Sequence, residues 1–202
     1  QYSFASCLFF NLEEMKFKNA PYSRLIMPSE SISTLYDVAT TPTHLEIGAC
    51  TSLSTLQHKC DTLSKEGVSP RTVNPLHDML RWFASTQIRN VACLGGNLVT
   101  ASPISDMNPM LACMNANLII SSLSDTDDNT IIRRTVPVSD FFLGYRKVNL
   151  QKNELVEKIE VPLLQETLEY AMPFKQARRR EDDISIVTAG MRTLLAIKDG
   201  DF

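Results

Sequence analysis

A chain of 202 residues with 44% hydrophobic and 21% charged residues can bury a core for one or two domains, which excludes a disordered polypeptide. Its net charge of −3 supplies no basic face for displacing counterions, so no nucleic-acid partner is expected. Its five cysteines, Cys7, Cys50, Cys60, Cys93 and Cys113, show no C-x-x-C spacing, and His44, His58 and His77 form no H-E-x-x-H set, so no metal site is expected and the thiols read as reduced and buried.

Tyr2 to Phe10 is apolar but lacks the basic leader of a secretion signal, and no run reaches the roughly 20 apolar residues of a membrane helix. Because the chain opens on Gln1, it is expected to be a piece of a longer protein. Tyr22 to Met27, closed by Pro28, predicts a strand, and His44 to Cys50 a second. Leu53, Leu56, Cys60 and Leu63 recur at helical spacing, and Lys65-Glu66-Gly67 gives that helix its stop. Leu76, Met79, Leu80 and Phe83 predict another amphipathic helix. Ile88 to Leu94 reads as a strand running into Gly95-Gly96-Asn97. A helix is expected from Asp106 to Met114, then a hairpin of Ala116–Ser122 and Thr130–Val138 around the acidic tip Asp125–Asn129. Leu155–Val161 and Tyr170–Arg178 are further strands. Ile184–Ile197 starts as a helix or turn and ends extended, and Pro162–Glu169 is the candidate linker. The sum is an α+β fold with antiparallel pairing rather than a doubly wound sheet.

The chemistry concentrates between Arg89 and Asp106. Adjacent glycines let backbone N–H groups approach an anion closely. Asn97, Thr100 and Ser102 add short polar side chains, and Asp106 can accept hydrogen bonds from a polyol. That set suits a ligand with a phosphate and a ribityl or ribose chain, although on spacing alone Gly-Gly-Asn reads first as a tight turn between strands. It is neither the G-x-G-x-x-G of a nicotinamide-binding turn nor a P-loop. Phe83 reads as a core residue on its helical stripe or as an aromatic platform. Arg178 to Asp183 reads as a self-compensating, solvated charge run.

The longer strings are specific. Arg81-Trp82-Phe83-Ala84, Gln87 to Asn97, and Thr100-Ala101-Ser102-Pro103-Ile104-Ser105-Asp106-Met107-Asn108-Pro109 resemble the flavin domain of xanthine dehydrogenases. So do Glu14 to Asn19, Phe142-Leu143-Gly144-Tyr145-Arg146-Lys147 and Phe174 to Ile184, all in the family's order. Aldehyde oxidases share this domain, but Ala101 to Asp106 and Arg180 to Asp183 are closer to the xanthine dehydrogenase branch. The resemblance implies a vanillyl-alcohol-oxidase (PCMH) type FAD-binding domain over 1–165 and the start of a C-terminal flavoprotein subdomain over 170–202. It implies that Phe83 packs on the isoalloxazine, that Cys93, Leu94, Gly95, Gly96 and Asn97 line the diphosphate, and that Thr100, Ser102 and Asp106 complete a polar wall. Val156 and Lys175 match two more FAD-contacting positions. No catalytic residue is assigned; Asp182 would modulate the flavin from the loop governing NAD access.

In that family, electrons pass from a purine at molybdopterin through two iron–sulfur clusters to FAD, then to NAD or oxygen. This chain would carry only the FAD stage; the iron–sulfur and molybdenum domains are missing partners. A homodimer without a membrane partner, in the cytoplasm or peroxisome, is implied. Two departures stand out. Ser6 to Glu13 occupies the place of the family's glycine-bearing first FAD loop, and Phe9 and Phe10 cannot mimic a backbone cradle. Cys93 stands where serine is usual, and a thiol is the weaker hydrogen-bonding group. Weak or absent FAD binding is therefore expected of the chain alone, with a non-catalytic fragment as the alternative.

Overall fold

A five-stranded antiparallel sheet carries the helices that build the site. The computed structural model describes residues 2–4, 24–124, 130–164 and 168–195. Strands β1 (Tyr2–Phe4) and β2 (Arg24–Ile26) pair in parallel. The chain then runs through a short helix α1 (Ser33–Tyr36) into β3 (Val38–Thr40) and β4 (His44–Gly48). Helices α2 (Leu53–Lys65), α3 (Pro70–Arg81), α4 (Thr86–Val91), α5 (Leu94–Thr100) and α6 (Met107–Cys113) follow without an intervening strand. β5 (Asn117–Leu123), β6 (Ile131–Pro137), helix α7 (Val138–Phe141), the small hairpin β7 (Phe142–Gly144) and β8 (Lys147–Val148), and β9 (Glu154–Pro162) complete the first unit. The sheet order is β3-β4-β9-β5-β6.

The sheet follows from the alternation predicted in its strands. Leu45 and Ile47 of β4, Leu118 and Ile120 of β5 and Ile159 and Val161 of β9 are all buried, facing the helical layer. That layer presents Leu53, Leu56 and Cys60 from α2 and Leu76, Met79 and Leu80 from α3, at the spacing that makes one helical face. A bulge between Ile119 and Ile120 leaves Glu157 as the extra residue on β9. Val156 and Glu157 are consequently buried side by side. The Glu157 carboxylate accepts from Arg133 Nε at 2.7 Å and from the Ser121 hydroxyl.

The last two strands, β10 (Glu169–Ala177) and β11 (Ser185–Leu194), form a separate antiparallel hairpin. Its inner face packs on α3 and α6. Gly190 permits this approach: a Cβ there would lie 2.5 Å from the Pro109 carbonyl oxygen and 2.7 Å from the Met110 Cα. The outer face exposes Tyr170, Met172, Phe174, Val187 and Met191. The linker residues Leu163 and Leu164 are pinned, their amides donating to Thr43 O and Thr72 Oγ1, each at 2.8 Å.

Two predicted elements differ. Ile88 to Leu94 is not a strand: the Ser85 hydroxyl accepts from Ile88 N, capping α4, and the chain then re-enters a helix at Leu94. Ile184–Ile197 contains no described helix; Asp182 turns the chain with φ +53 and β11 is extended from Ser185, because it pairs with β10 along its length. The predicted β5–β6 hairpin forms in the register Asn117↔Pro137 to Leu123↔Ile131. Its acidic tip, Tyr22 at the start of the first predicted strand, and the last two residues of Ile184–Ile197 lie outside the described residues.

Candidate functional site

Two cavities lie on either side of α5. The first, about 530 Å³, is lined by Tyr36, Cys50, Thr51, Ser52, Thr55, Asn90 and Cys93 among others. The second, about 340 Å³, is lined by Phe83, Ile88, Asn97, Ser102, Ser105, Asp106, Asp182 and Ser185 among others. Both volumes fall in the roughly 300–1,000 Å³ range of small-molecule sites. The first turn of α5 runs from Cys93 at the first cavity to Asn97 at the second.

Gly95 explains how that turn is placed. Its amide donates to Ala49 O at 2.9 Å, while Leu53 N donates to Ala92 O at 2.9 Å. Ser52 and Cys93 pair as an isolated antiparallel bridge. A Cβ on Gly95 would stand 2.7 Å from both the Cβ and the carbonyl oxygen of Ala49, so only glycine admits this contact. Gly95 and Gly96 are thus the buried opening of a helix rather than a tight turn between strands. Cys93 is the N-cap of α5, its Sγ accepting from Gly96 N at 3.3 Å. The N-terminus of the 13-residue α2 opens at the same cavity, with Ser52 Oγ accepting from Thr55 N at 3.1 Å. Tyr36, also on this wall, has its phenol pushed up from the ordinary value by burial first and by neighbouring Cys50 and Glu30 next.

The second cavity collects Phe83, Asn97, Ser102, Asp106 and Asp182, which lie far apart in the chain. Phe83 sits past the end of α3, half-buried, and not on its helical stripe. Asn97 Oδ1 accepts from Ser105 Oγ at 2.8 Å. Asp106 is the N-cap residue of α6 and is buried. Both of its carboxylate oxygens have protein donors: Lys175 Nζ on Oδ2 at 2.7 Å and the Ser185 hydroxyl on Oδ1. Lys175 also donates to Trp82 O at 2.7 Å, joining β10 to the end of α3. Asp182 is exposed at the rim, and the adjacent Asp183 accepts from Arg179 N at 2.8 Å, folding the charge run back on itself.

The remaining candidates stand elsewhere. Leu94 is core; Thr100 Oγ1 donates to Gly96 O at 2.7 Å inside α5. Val156 is buried beside a 60 Å³ cavity with Leu35 and Val99. Lys175 lines a groove with Trp82, Phe174 and Arg178 to Arg180. Ser6 to Glu13, the segment in place of the first FAD loop, lies outside the described residues. Among residues not singled out in the sequence, Ser52, Thr55, Ser105 and Ser185 line the cavities; the capping pattern Ser52-x-x-Thr55 was the one local signal available for them.

The donor set fits a flavin nucleotide. The first cavity offers a helix N-terminus and hydroxyls for a diphosphate, and the second sets Phe83, Ile88, Ile104 and Ile184 against polar groups, as an amphipathic ring system requires.

The fold is the PCMH-type FAD-binding fold: CO dehydrogenase from Oligotropha carboxidovorans superposes with a TM-score of 0.74 at 19% identity, over 93% of this chain and 60% of that one. Residues 11–164 match the family described as FAD binding domain in molybdopterin dehydrogenase. The chain is 39% identical over 191 residues to xanthine dehydrogenase of Oryza sativa subsp. japonica, covering 94% of this chain and 13% of that protein. It is 41% identical over 184 residues to xanthine dehydrogenase/oxidase of Gallus gallus, covering 90% of this chain and 13% of that one. The chain belongs to the family of FAD-binding domains of molybdopterin dehydrogenases. It spans about 13% of the length of these curated relatives.

Proposed function

We propose that the chain is the FAD-carrying, electron-transfer portion of a xanthine dehydrogenase-like enzyme that oxidises hypoxanthine or xanthine. The single observation that carries this is the second cavity, which assembles Phe83, Asn97, Ser102, Asp106 and Asp182 around one space. When bound there, FAD would supply the relay between iron–sulfur clusters and NAD or oxygen. The chain's own residues do the rest. Ser52 and Thr55 at the start of α2 hold the diphosphate end, with Cys93 on the same cavity and Gly95 and Gly96 buried behind it, fixing the start of α5. Phe83 presents an aromatic face to the ring. Asn97 and Ser102 face the polyol, and Asp106, fixed by Lys175 and Ser185, sets a negative charge beside it. Asp182, at the rim, governs access from solvent.

In this reading residues 1–165 form the FAD-binding unit and residues 170–202 open a further subdomain. The outward apolar face of the β10–β11 hairpin supports that division, since contiguous exposed apolar surface marks a contact with further protein. The iron–sulfur and molybdenum domains would be supplied by the rest of a longer polypeptide, and the assembly would be a cytoplasmic or peroxisomal homodimer. The test is the visible spectrum of the purified chain after incubation with FAD and desalting. A retained flavin band, lost in Phe83→Ala and Asp106→Ala, would uphold this reading and overturn the weak or absent binding expected of the chain alone. A colourless, cooperatively folded protein would refute FAD binding by this chain and leave it a non-catalytic remnant.

A further inference from the structure

We propose that Arg89 is a positioning residue for the flavin-facing aromatic Phe83, an inference that rests on the reading of the second cavity as the flavin site. Arg89 lies in the last turn of α4 and does not itself line that cavity. Its Nη1 donates to two consecutive carbonyls, Phe83 O and Ala84 O, each at 2.7 Å. Nη2 donates to Thr86 Oγ1 at 3.1 Å. The two carbonyls converge because Ala84 is left-handed, with φ +40. A residue with a Cβ resists that conformation, so the turn persists only where something holds it. Arg89 does so with a planar fork that a lysine ammonium cannot reproduce, since one point charge does not match two fixed oxygens and a hydroxyl. The clamp leaves Arg89 Nε buried and without a partner among the described residues. The guanidinium is therefore oriented by the Phe83–Ala84 carbonyls at the expense of its own full satisfaction. Phe83, Ala84 and Ser85 together form one wall of the cavity, so the clamp sets where the ring of Phe83 stands.

The neighbouring Trp82 is the only tryptophan in the chain, so its emission reports this turn with or without flavin. The experiment compares wild type, Arg89→Lys and Arg89→Met with Leu63→Ala, a core change at the end of α2 remote from both cavities. Each is titrated with FAD by Trp82 quenching at a temperature well below its melting point. In both Arg89 variants the flavin-free emission is expected to shift to longer wavelength and FAD affinity to fall about tenfold or more, the factor that loss of a charged hydrogen bond implies. Leu63→Ala lowers the melting point but leaves emission and affinity at wild-type values. Arg89 variants with wild-type emission and affinity overturn the inference, as does an equal loss of affinity in Leu63→Ala. If wild type takes up no FAD, the functional reading fails on its own. The flavin-free emission then decides for Arg89: a shift upholds the clamp and an unchanged spectrum removes it. Should Arg89→Met not fold, Arg89→Lys carries the same comparison.

Discussion

Replacing Lys175 with methionine tests what joins the hairpin to the rest of the molecule. The Lys175–Asp106 pair is 2.7 Å long with both side chains 9% exposed. Methionine fills the lysine stem, so the perturbation is mainly electrostatic: Asp106 keeps the Ser185 hydroxyl but loses its cation, and Trp82 O loses its donor. Removing one member of a buried ion pair costs about 3–5 kcal/mol, because the remaining charge stays desolvated. Lys175→Met should lower unfolding stability by that amount. Adding Asp106→Asn removes the stranded charge, so the double variant should be more stable than the sum of the single changes by more than about 1 kcal/mol. The assay is urea unfolding at pH 7, followed by Trp82 emission and by far-ultraviolet circular dichroism, whose coincidence establishes two-state behaviour. A loss below about 1 kcal/mol, the range of exposed pairs, or strict additivity in the double variant, would refute the claim that this pair is a buried tie.

Three further outcomes follow from the same geometry. Gly95→Ala places a Cβ 2.7 Å from Ala49 and should cost about 1–3 kcal/mol by overpacking; an unchanged thermal midpoint would show that α5 is not docked on the Ala49 segment. Burial pushes the Cys60 thiol up to about 12, so it should be the last described cysteine alkylated by iodoacetamide at pH 8.5. The unfolded chain releases that proton near the ordinary value of about 9, so stability should fall by up to about 1.4 kcal/mol per pH unit between about 9 and 12; a Cys60→Ala protein with the same alkaline slope would rule this out. The Arg134 guanidinium holds Glu154 below the ordinary glutamate value. Burial alone would raise Glu157, but Arg133 and Ser121 overcome it and leave it lowered too. The unfolded state therefore takes up protons first as pH falls, and the contribution of both carboxylates, complete above about pH 5, is lost as pH drops toward their depressed values. Urea midpoints measured from pH 7 to pH 3 should fall less steeply in Glu154→Gln and Glu157→Gln than in wild type.

The elements legible in the sequence were those whose period runs long enough to be counted. Leu53, Leu56, Cys60 and Leu63 all point into the core from α2, and the hairpin strands of β5 and β6 pair within a residue or two of their expected bounds. Ile88 to Leu94 was too short to carry a period, and apolar runs of that length do not separate strand from helix. Ser85, a good N-cap three residues before Ile88, was the local sign of the helix, and Val91 at 42% exposed shows that the run never formed a buried strand. The grouping of Phe83, Asp106 and Asp182 around one cavity was suggested by the resemblance and not by spacing, because these residues meet only after the hairpin folds onto α3 and α6. Arg89 and Ser185 had no local signature: their roles consist of contacts to a turn and to a carboxylate remote in sequence.

The architecture makes the second cavity dependent on a contact outside it. One wall is the Phe83–Ser85 turn and the α5–α6 connection; the other is the apex of the β10–β11 hairpin, Asp182 to Ser185. Polar bonds across that boundary run from Lys175 and Ser185 to Asp106 and from Lys175 to Trp82 O. Hairpin docking and cavity shape are therefore one equilibrium, and whatever stabilises the docked hairpin stabilises the cavity by the same free energy. Protein packed over Tyr170, Met172 and Phe174 on the outer face would add the hydrophobic effect to these hydrogen bonds. A ligand in the cavity and protein on the far side of the hairpin would each favour the other without touching, because both select the docked state.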